Sequence, residues 1–283
     1  MNSYYIYKMT SITNNDDDYV FIIKTVQSAP FRTLIESLKD IAVDCNLEID
    51  SSGIKIQTLN PSHKVLVHVK LDAEPFDKFF CRRPTLVGIS MITFFKLIRT
   101  MTPSDTLTLF MEEDETNKLG ILIENGEKNQ KTAFKLLKMD IKEEKYEIQS
   151  SNFDSHLTWV SSDFAKTCRD MSGLGIQNVD IKSTNGQLIL SGMADTIYQE
   201  TVIGDSGGEG SMSIVKNDDP EEIIQGRFQL KYLVMFTKCT NLCNNVELYF
   251  KNEFPLIIRY KVSNLGEVKF CIANEEDDSD NNV

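Results

Sequence analysis

Short runs in which apolar and polar residues alternate recur along the chain from residue 20 onward. Alternation with a period of two predicts half-buried β-strands, because successive side chains of a strand point to opposite faces. A Ser-Ser-Gly turn at 51–53 leads into one of these runs. The predicted strands cover residues 20–23, 54–57, 65–71, 106–110, 120–123 and 246–250.

Four other stretches have apolar residues three or four positions apart, which is the spacing of an amphipathic helix. The first has Phe31, Leu34 and Leu38 on one face, and Pro30 suits its first turn. The predicted helices cover residues 30–43, 91–101, 162–171 and 231–239.

The two halves of the chain repeat the same order of elements: a helix, a turn, paired strands, a second helix and a further strand. Phe164 lies 133 positions after Phe31 in the matching helix. Such a repeat predicts two similar domains. The predicted fold class is α+β, with a duplicated βαββ-type domain and helices on one face of antiparallel sheets. The predicted segments are a flexible extension (1–19), domain 1 (20–135), a connector (136–152), domain 2 (153–274) and an acidic tail (275–283).

The charge distribution changes this picture more than the composition does. Of the 283 residues, 41% are hydrophobic and 25% charged, which is typical of a globular protein, and the formal net charge is −12. Eight acids lie in Asp16-Asp17-Asp18 and in the tail at 275–280, two segments that we expect to be solvated and disordered. The remaining body carries a net charge of about −4, so a nucleic-acid partner requires its basic residues to be concentrated.

The six cysteines and the chain start bear on compartment and cofactors. No CxxC pair and no secretory signal occur, which predicts reduced thiols in a cytosolic or nuclear protein. Cys239 and Cys243 are four positions apart, but two thiolates alone make a poor metal site. No apolar run approaches the roughly 20 residues of a membrane helix. We therefore expect no cofactor, metal or membrane partner.

Each predicted helix carries two basic residues, three or seven positions apart, opposite its apolar face. On one helix this would be ordinary solvated surface. On all four helices of an acidic chain it favours a lining that neutralises phosphates without reading bases. With Lys24 added from the first strand, the predicted DNA-facing set is Lys24, Arg32, Lys39, Lys96, Arg99, Lys166, Arg169, Lys231 and Lys238.

Candidate catalytic chemistry is sparse. The three histidines are His63, His68 and His156, and a lone histidine is more often structural than catalytic. No hydrolase, zinc-protease, P-loop or dinucleotide motif occurs. The glycine-rich stretch 204–210 lacks the lysine of a phosphate cradle and is predicted to be a mobile loop. We expect no enzymatic activity.

From about residue 20 to 273 the chain resembles the eukaryotic-type DNA sliding clamp, the proliferating cell nuclear antigen family. The segments that carry the resemblance are Leu38-Lys39-Asp40, DSSGI at 50–54, Ser62-His63, FAKTCRD at 164–170, Tyr232-Leu233 with Phe236-Thr237-Lys238, and FPLIIRY at 254–260.

The resemblance implies a DNA polymerase processivity factor, a head-to-tail homotrimer that encircles duplex DNA. The implied partners are a DNA polymerase, a clamp loader and other replication or repair proteins that carry short clamp-binding peptides. The implied compartment is the nucleus, or a cytoplasmic viral replication site, since many Asn, Ile, Lys and Asp residues are typical of an AT-rich or viral genome. The implied partner-peptide pocket consists of Leu59, His63, Leu66, Tyr146, Pro255, Ile272 and Ala273.

The chain departs from the family pattern at several positions. Cys271 stands where an aromatic residue is usual, Asn274 replaces a usual proline, and Thr184 stands where the family has the lysine modified by ubiquitin. The extension and the acidic tail are not typical. Two alternatives remain open: a subunit of a heterotrimeric clamp, and a clamp-like interaction module that binds partner peptides without loading on DNA.

Overall fold

The computed structural model describes residues 15–142, 155–184, 186–204, 212–216 and 223–275. The chain divides into two compact units. Unit 1 comprises Met1–Pro61, His68–Tyr146 and Val262–Glu267, and unit 2 comprises Ser62–Val67, Glu147–Lys261 and Val268–Val283.

Among its described residues, unit 1 contains two α-helices, a short 3-10 helix and nine strands, β4 being shared with unit 2. In chain order the α-helices and strands are β1 (Tyr19–Thr25), α1 (Ser28–Leu38), β2 (Asp44–Asp50), β3 (Gly53–Leu59), β4 (Val65–Asp72), β5 (Lys78–Cys81), β6 (Thr85–Ser90), α2 (Met91–Ile98), β7 (Asp105–Glu112), β8 (Lys118–Asn125) and β9 (Gln130–Leu137). One sheet has the strand order β5-β1-β7-β8-β9, and the other strands run in the order β4-β3-β2-β6.

Unit 2 repeats this arrangement. In chain order its elements are β10 (Ser155–Val160), α3 (Ser161–Gly173), β11 (Asn178–Thr184), β12 (Gln187–Ala194), β13 (Ile197–Gly204), β14 (Ser213–Lys216), β15 (Ile224–Gln229), α4 (Leu230–Phe236), a 3-10 helix (Thr237–Leu242), β16 (Asn245–Phe250), β17 (Leu256–Val262) and β18 (Gly266–Ile272). The strand orders are β14-β10-β16-β17-β18 and β13-β12-β11-β15. These orders match those of unit 1 strand for strand, which confirms the predicted duplication.

The helices of each unit pack through aromatic residues. Phe31 and Phe164 lie on the predicted inward faces, but in α2 Phe94 is buried in place of the predicted Ile92 and Phe95. In unit 1 the Phe31 and Phe94 rings meet edge to face at 6.3 Å, which joins α1 to α2. In unit 2 Phe164 on α3 contacts Trp159 at 5.6 Å, and Phe236 on α4 stacks on Phe270 of β18 at 4.3 Å. Because the helices bury these faces, their other side is left for polar and charged residues.

The turn at 51–53 requires its glycine. Gly53 has a φ of +147°, and a Cβ at this position would lie 1.9 Å from the backbone oxygen of Leu71. The β2–β3 hairpin can therefore approach β4 closely only with glycine at residue 53.

Element boundaries differ from prediction where local hydrogen bonds decide them. Helix α1 begins at Ser28 and ends at Leu38, and the next residues form a turn in which the Ile41 and Ala42 amides donate to the Leu38 carbonyl. The helix predicted at 231–239 is α4 followed by the 3-10 helix. Strand β9 continues to Leu137, two residues into the predicted connector, because it pairs with β8 along its whole length.

The expected disorder of Asp16-Asp17-Asp18 is also corrected. These residues form a short 3-10 helix. Lys78 contacts Asp16 at 2.5 Å, and Arg82 contacts Asp17 at 2.8 Å. The acidic run is therefore held against β5 by opposite charge. Among the described residues, no helix has the length and apolar character needed to span a membrane.

Candidate nucleic-acid interface

The two helices of unit 1 bring four predicted cations onto neighbouring elements. Lys96 and Arg99 are exposed on and just after α2. Arg32 on α1 is half-buried, and its guanidinium donates a hydrogen bond to the Met101 carbonyl. Lys39 follows α1, where its ammonium lies 3.3 Å from Asp40 and 4.8 Å from the centre of the Phe95 ring. Two of the four cations are thus anchored by contacts within the unit.

The helices of unit 2 carry the other four predicted cations, and all four are exposed. Lys166 forms an ion pair with Asp170 one turn later at 2.6 Å, and this hydrogen bond raises the pKa of the ammonium. Lys231 lies 4.8 Å from the centre of the Tyr232 ring. All four side chains stand at the surface of unit 2.

The charge of the helices differs in sign from that of the chain. The four α-helices, taken with residues 39, 40 and 99 and the 3-10 helix Thr237–Leu242, contain eight basic and four acidic residues, a net charge of +4. The whole chain carries −12. The acids are Glu36, Asp40, Asp163 and Asp170. In both units, therefore, the positive charge is concentrated on the helices.

Lys24 does not belong to this set. It lies on β1 two positions from Ile22, so both side chains point to the same face of the strand. Ile22 packs in a cluster made only of residues from the sheet β5-β1-β7-β8-β9, without any residue of α1 or α2. The predicted DNA-facing role of Lys24 is not supported by this placement.

The predicted pocket residues have different surroundings. Leu59 on β3 and Leu66 on β4 are partly exposed, Pro255 is exposed, and His63 occupies an exposed turn with a φ of 57°. Ala273 is half-buried, and its amide donates to the Lys64 carbonyl at 3.0 Å.

One pocket prediction is corrected, and one falls outside the described residues. Ile272 is only 1% exposed, so it is a core residue of unit 2 and not part of an exposed apolar patch. The neighbouring Cys271 is buried too, and burial raises the pKa of its thiol to about 11. Tyr146 lies outside the described residues.

Unit 2 contains a cleft of about 720 Å³ that the sequence did not predict, lined by residues of β11 and β15 among others. Two asparagine side chains cover the edge of β15: Asn252 accepts from the Gln225 amide at 2.9 Å, and Asn274 accepts from the Arg227 amide at 2.7 Å. Asn274 is the residue that replaces the usual proline. Its side-chain carbonyl accepts the hydrogen bond of the Arg227 amide. A proline at this position has no side-chain acceptor and would leave that amide without this partner.

Comparisons with known proteins agree with this architecture. Residues 20–145 match the family model for the proliferating cell nuclear antigen N-terminal domain, and residues 147–275 match that for its C-terminal domain. The chain is 31% identical to a "Probable DNA polymerase sliding clamp 1" of Paramecium bursaria Chlorella virus 1 over 262 residues, which cover 92% of this chain and 98% of that protein. It is 27% identical to "Proliferating cell nuclear antigen" of Dictyostelium discoideum, covering 90% of this chain and 98% of that protein.

Among solved structures, the crystal structure of proliferating cellular nuclear antigen from Entamoeba histolytica superposes with a TM-score of 0.82. That match is 25% identical and covers 91% of this chain and all of the other. The duplicated fold and these matches define the class as two-domain DNA clamps. The chain belongs to the proliferating cell nuclear antigen family.

Proposed function

We propose that this chain is a DNA polymerase processivity factor, a sliding clamp that encircles duplex DNA and performs no chemistry itself. The observation that carries the proposal is the net positive charge of the four helices in a chain of net charge −12. Exposed lysine and arginine neutralise phosphates whatever the base sequence, which is what a protein that must slide requires. Arg32, Lys39, Lys96 and Arg99 supply this contact in unit 1, and Lys166, Arg169, Lys231 and Lys238 supply it in unit 2.

Ring assembly is supported by one exposed sheet edge in each unit. In unit 1, β9 is the last strand of its sheet and ends in Leu137, which is 63% exposed. In unit 2, β13 is an edge strand of its sheet and carries Ile197, Tyr198 and Val202, each at least 42% exposed. Bare edges with apolar side chains aggregate unless they are paired. Two different edges can pair head to tail between copies, and such pairing closes into a ring, here a homotrimer.

The partner site is proposed at Leu59, His63, Leu66, Pro255 and Ala273, with Tyr146 retained from the sequence prediction. Partly exposed leucines and an exposed proline are side chains that suit a short peptide presenting aromatic or aliphatic anchors. The expected partners are the polymerase, the clamp loader and other replication or repair proteins, at a nuclear or viral replication site.

A topological test separates encirclement from simple charge attraction. The clamp is incubated with duplex DNA fixed to a bead at one end, the free end is then blocked with streptavidin, and the bead is washed at high salt. We expect retention on blocked DNA, loss from unblocked DNA, and release when a restriction enzyme cuts the blocked duplex. Equal loss from blocked and unblocked DNA would favour the interaction module that does not load. Assembly of the chain alone into a trimer, measured by native mass spectrometry, would exclude the heterotrimeric alternative.

A further inference from the structure

One face of the sheet β5-β1-β7-β8-β9 carries an apolar cluster separate from the rest of the core. Four side chains are its buried centre, and two more pack against them while partly exposed. We name this set the outer apolar face: Tyr19, Ile22, Phe80, Phe110, Leu122 and Ala133. The Tyr19 and Phe110 rings meet edge to face at 5.9 Å, and the Phe110 ring fills the space above Gly120, where a Cβ would lie 2.4 Å from it.

The burial of this face is greater than one sheet can provide. Ile22 is 1% exposed, Leu122 2% and Phe110 4%. All six members of the cluster come from a single sheet, and no residue of α1 or α2 is among them. An apolar sheet face is stable in water only when a second layer covers it. The described residues of the cluster provide no second layer, so a further segment must supply it.

The matching face of unit 2 shows that the fold itself does not require apolar residues here. In unit 1 Ile22 pairs with Phe110, and Thr108 pairs with Leu122. The strands in the same order in unit 2 pair His156 with Tyr249, and Glu247 with Arg259. Where unit 1 has Ile22, Phe110 and Leu122, unit 2 therefore has His156, Tyr249 and Arg259.

These unit 2 residues form a polar network. The His156 and Tyr249 rings stack at 4.5 Å, and the Tyr249 hydroxyl and Arg259 guanidinium each donate to Glu247 at 2.6 Å. A network of this kind can face water without a cover. The apolar character of unit 1 thus marks a surface adapted to a specific occupant.

We propose that this occupant is the protein's own N-terminal segment, residues 1–14, docked across the outer apolar face. The segment contains Tyr4, Tyr5, Ile6, Tyr7 and Met9, and Lys8 is its one charged side chain. The chain enters the sheet beside this face, through the 3-10 helix Asp16–Asp18 that Lys78 and Arg82 hold in place.

The length of the segment fits the surface. Residues 4 to 9 lie 6 to 11 positions before Asn15, a reach of about 20 to 36 Å for an extended chain at roughly 3.3 Å per residue. Five strands spaced about 4.8 Å apart are about 19 Å across. The aromatic residues can therefore lie over Ile22, Phe110 and Leu122 without the intervening residues being stretched to their limit.

Photo-crosslinking tests the position of the segment directly. Benzoylphenylalanine is placed at Tyr5, Ile6 and Tyr7 in turn in the full chain, because alternate residues of an extended segment face opposite sides. We expect crosslinks from at least one position to peptides within residues 19–25 and 105–125. Mixing isotopically light and heavy protein shows whether the two peptides come from one protomer. The proposal would be overturned if the crosslinks went to unit 2, if they formed only between protomers, or if no crosslink to a peptide of the chain were found.

Deletion of residues 1–14 tests the energetic role of the segment. We expect increased binding of the dye ANS and a Tm lower by at least about 4 °C, since uncovered apolar surface destabilises the fold and binds the dye. Deletion of residues 276–283 is the matched control and should change neither.

A second variant covers the case in which the shortened chain folds poorly. Adding I22H, T108E, F110Y and L122R to the deletion gives unit 1 the residues of the unit 2 network, and we expect ANS binding to return toward that of the full chain. An unchanged Tm and unchanged ANS binding after the deletion alone would contradict the docking of this segment.

Discussion

Two residues expected to share a peptide site, Leu66 and Ile272, have different surroundings. Leu66 is partly exposed on β4, on the face that alternates with buried Val65 and Val67. Ile272 ends β18 and is 1% exposed. A charge at the first position meets solvent, whereas a charge at the second is buried without a partner, which is strongly destabilising.

We therefore expect Leu66→Glu to weaken binding of a clamp-binding peptide by at least tenfold in calorimetry while the Tm stays within about 2 °C of wild type. Ile272→Glu should instead lower the stability by several kcal/mol, typical of a charge forced into a core. If Leu66→Glu bound peptide normally, the proposed pocket would be misplaced. A native Tm for Ile272→Glu would contradict its core assignment.

Glu247 gives a residue-scale prediction of pH dependence. Partial burial raises the pKa of its carboxyl, but hydrogen bonds from Tyr249 and Arg259 outweigh burial and hold it below the ordinary value of 4.5. A depressed carboxyl pKa stabilises the fold above the unfolded pKa and loses that contribution as pH falls through the folded pKa.

We expect Glu247→Gln to lower the free energy of unfolding by about 1–3 kcal/mol at pH 7, the usual range for a hydrogen bond to a charged group. The difference in unfolding free energy between the variant and wild type should become smaller below about pH 4.5. Urea unfolding at pH 7 and pH 3.5 measures both differences. A gap of the same size at the two pH values would show that the carboxylate is not the stabilising species.

At the scale of elements, the cations of the four helices differ in what else they contact. Arg32 and Lys39 in unit 1 also hold their helices in place, through the Met101 carbonyl and the Phe95 ring. The four cations of unit 2 are all exposed. Exposed lysine and arginine contribute little to folding, so unit 2 offers the cleaner test of DNA contact.

We predict that replacing Lys166, Arg169, Lys231 and Lys238 together by alanine strongly reduces processive synthesis on circular primed DNA. The trimer mass and Tm should stay near wild type, and any single change should have only a modest effect, because each phosphate contact is weak. The matched control removes four exposed lysines away from the helices, Lys128, Lys142, Lys182 and Lys261. Equal loss in both variants would attribute the effect to net charge rather than to the helix surface.

At the scale of the whole molecule, the exposed edges β9 and β13 are the strands that we propose to pair between protomers. Three chains of 32.2 kDa give an expected trimer of about 97 kDa. Val202→Glu places a charge among the apolar residues of β13, where Val202 is 50% exposed.

We expect Val202→Glu to shift native mass spectra at micromolar concentration toward monomer. Leu174→Glu, at a residue 42% exposed outside both edges, should remain trimeric. A monomeric wild-type chain, or a trimer unaffected by Val202→Glu, would contradict head-to-tail pairing through this strand.

The sequence by itself determined the duplication, the four helices and the cations on them. These features follow from local periodicity: a helix buries residues three and four positions apart, and the residues opposite must remain polar. The helix pattern around Phe31, the one around Phe164 and the paired basic residues can each be recognised in the sequence, because each pattern involves only residues close together along the chain.

Only the tertiary structure decided which of those residues share a surface. In the sequence, Ile272 and Leu66 are both apolar residues of alternating strands, but only Ile272 is buried in the core. Lys24 cannot be told from the other cations in the sequence, but it lies on the strand face that carries Ile22, whose cluster contains no helix residue. Asn274 became interpretable once β15 was placed beside it, because its acceptor serves an amide 47 positions away. The outer apolar face likewise combines residues of β1, β5, β7, β8 and β9. Strand register brings them together, and register is a long-range property that local pattern does not fix.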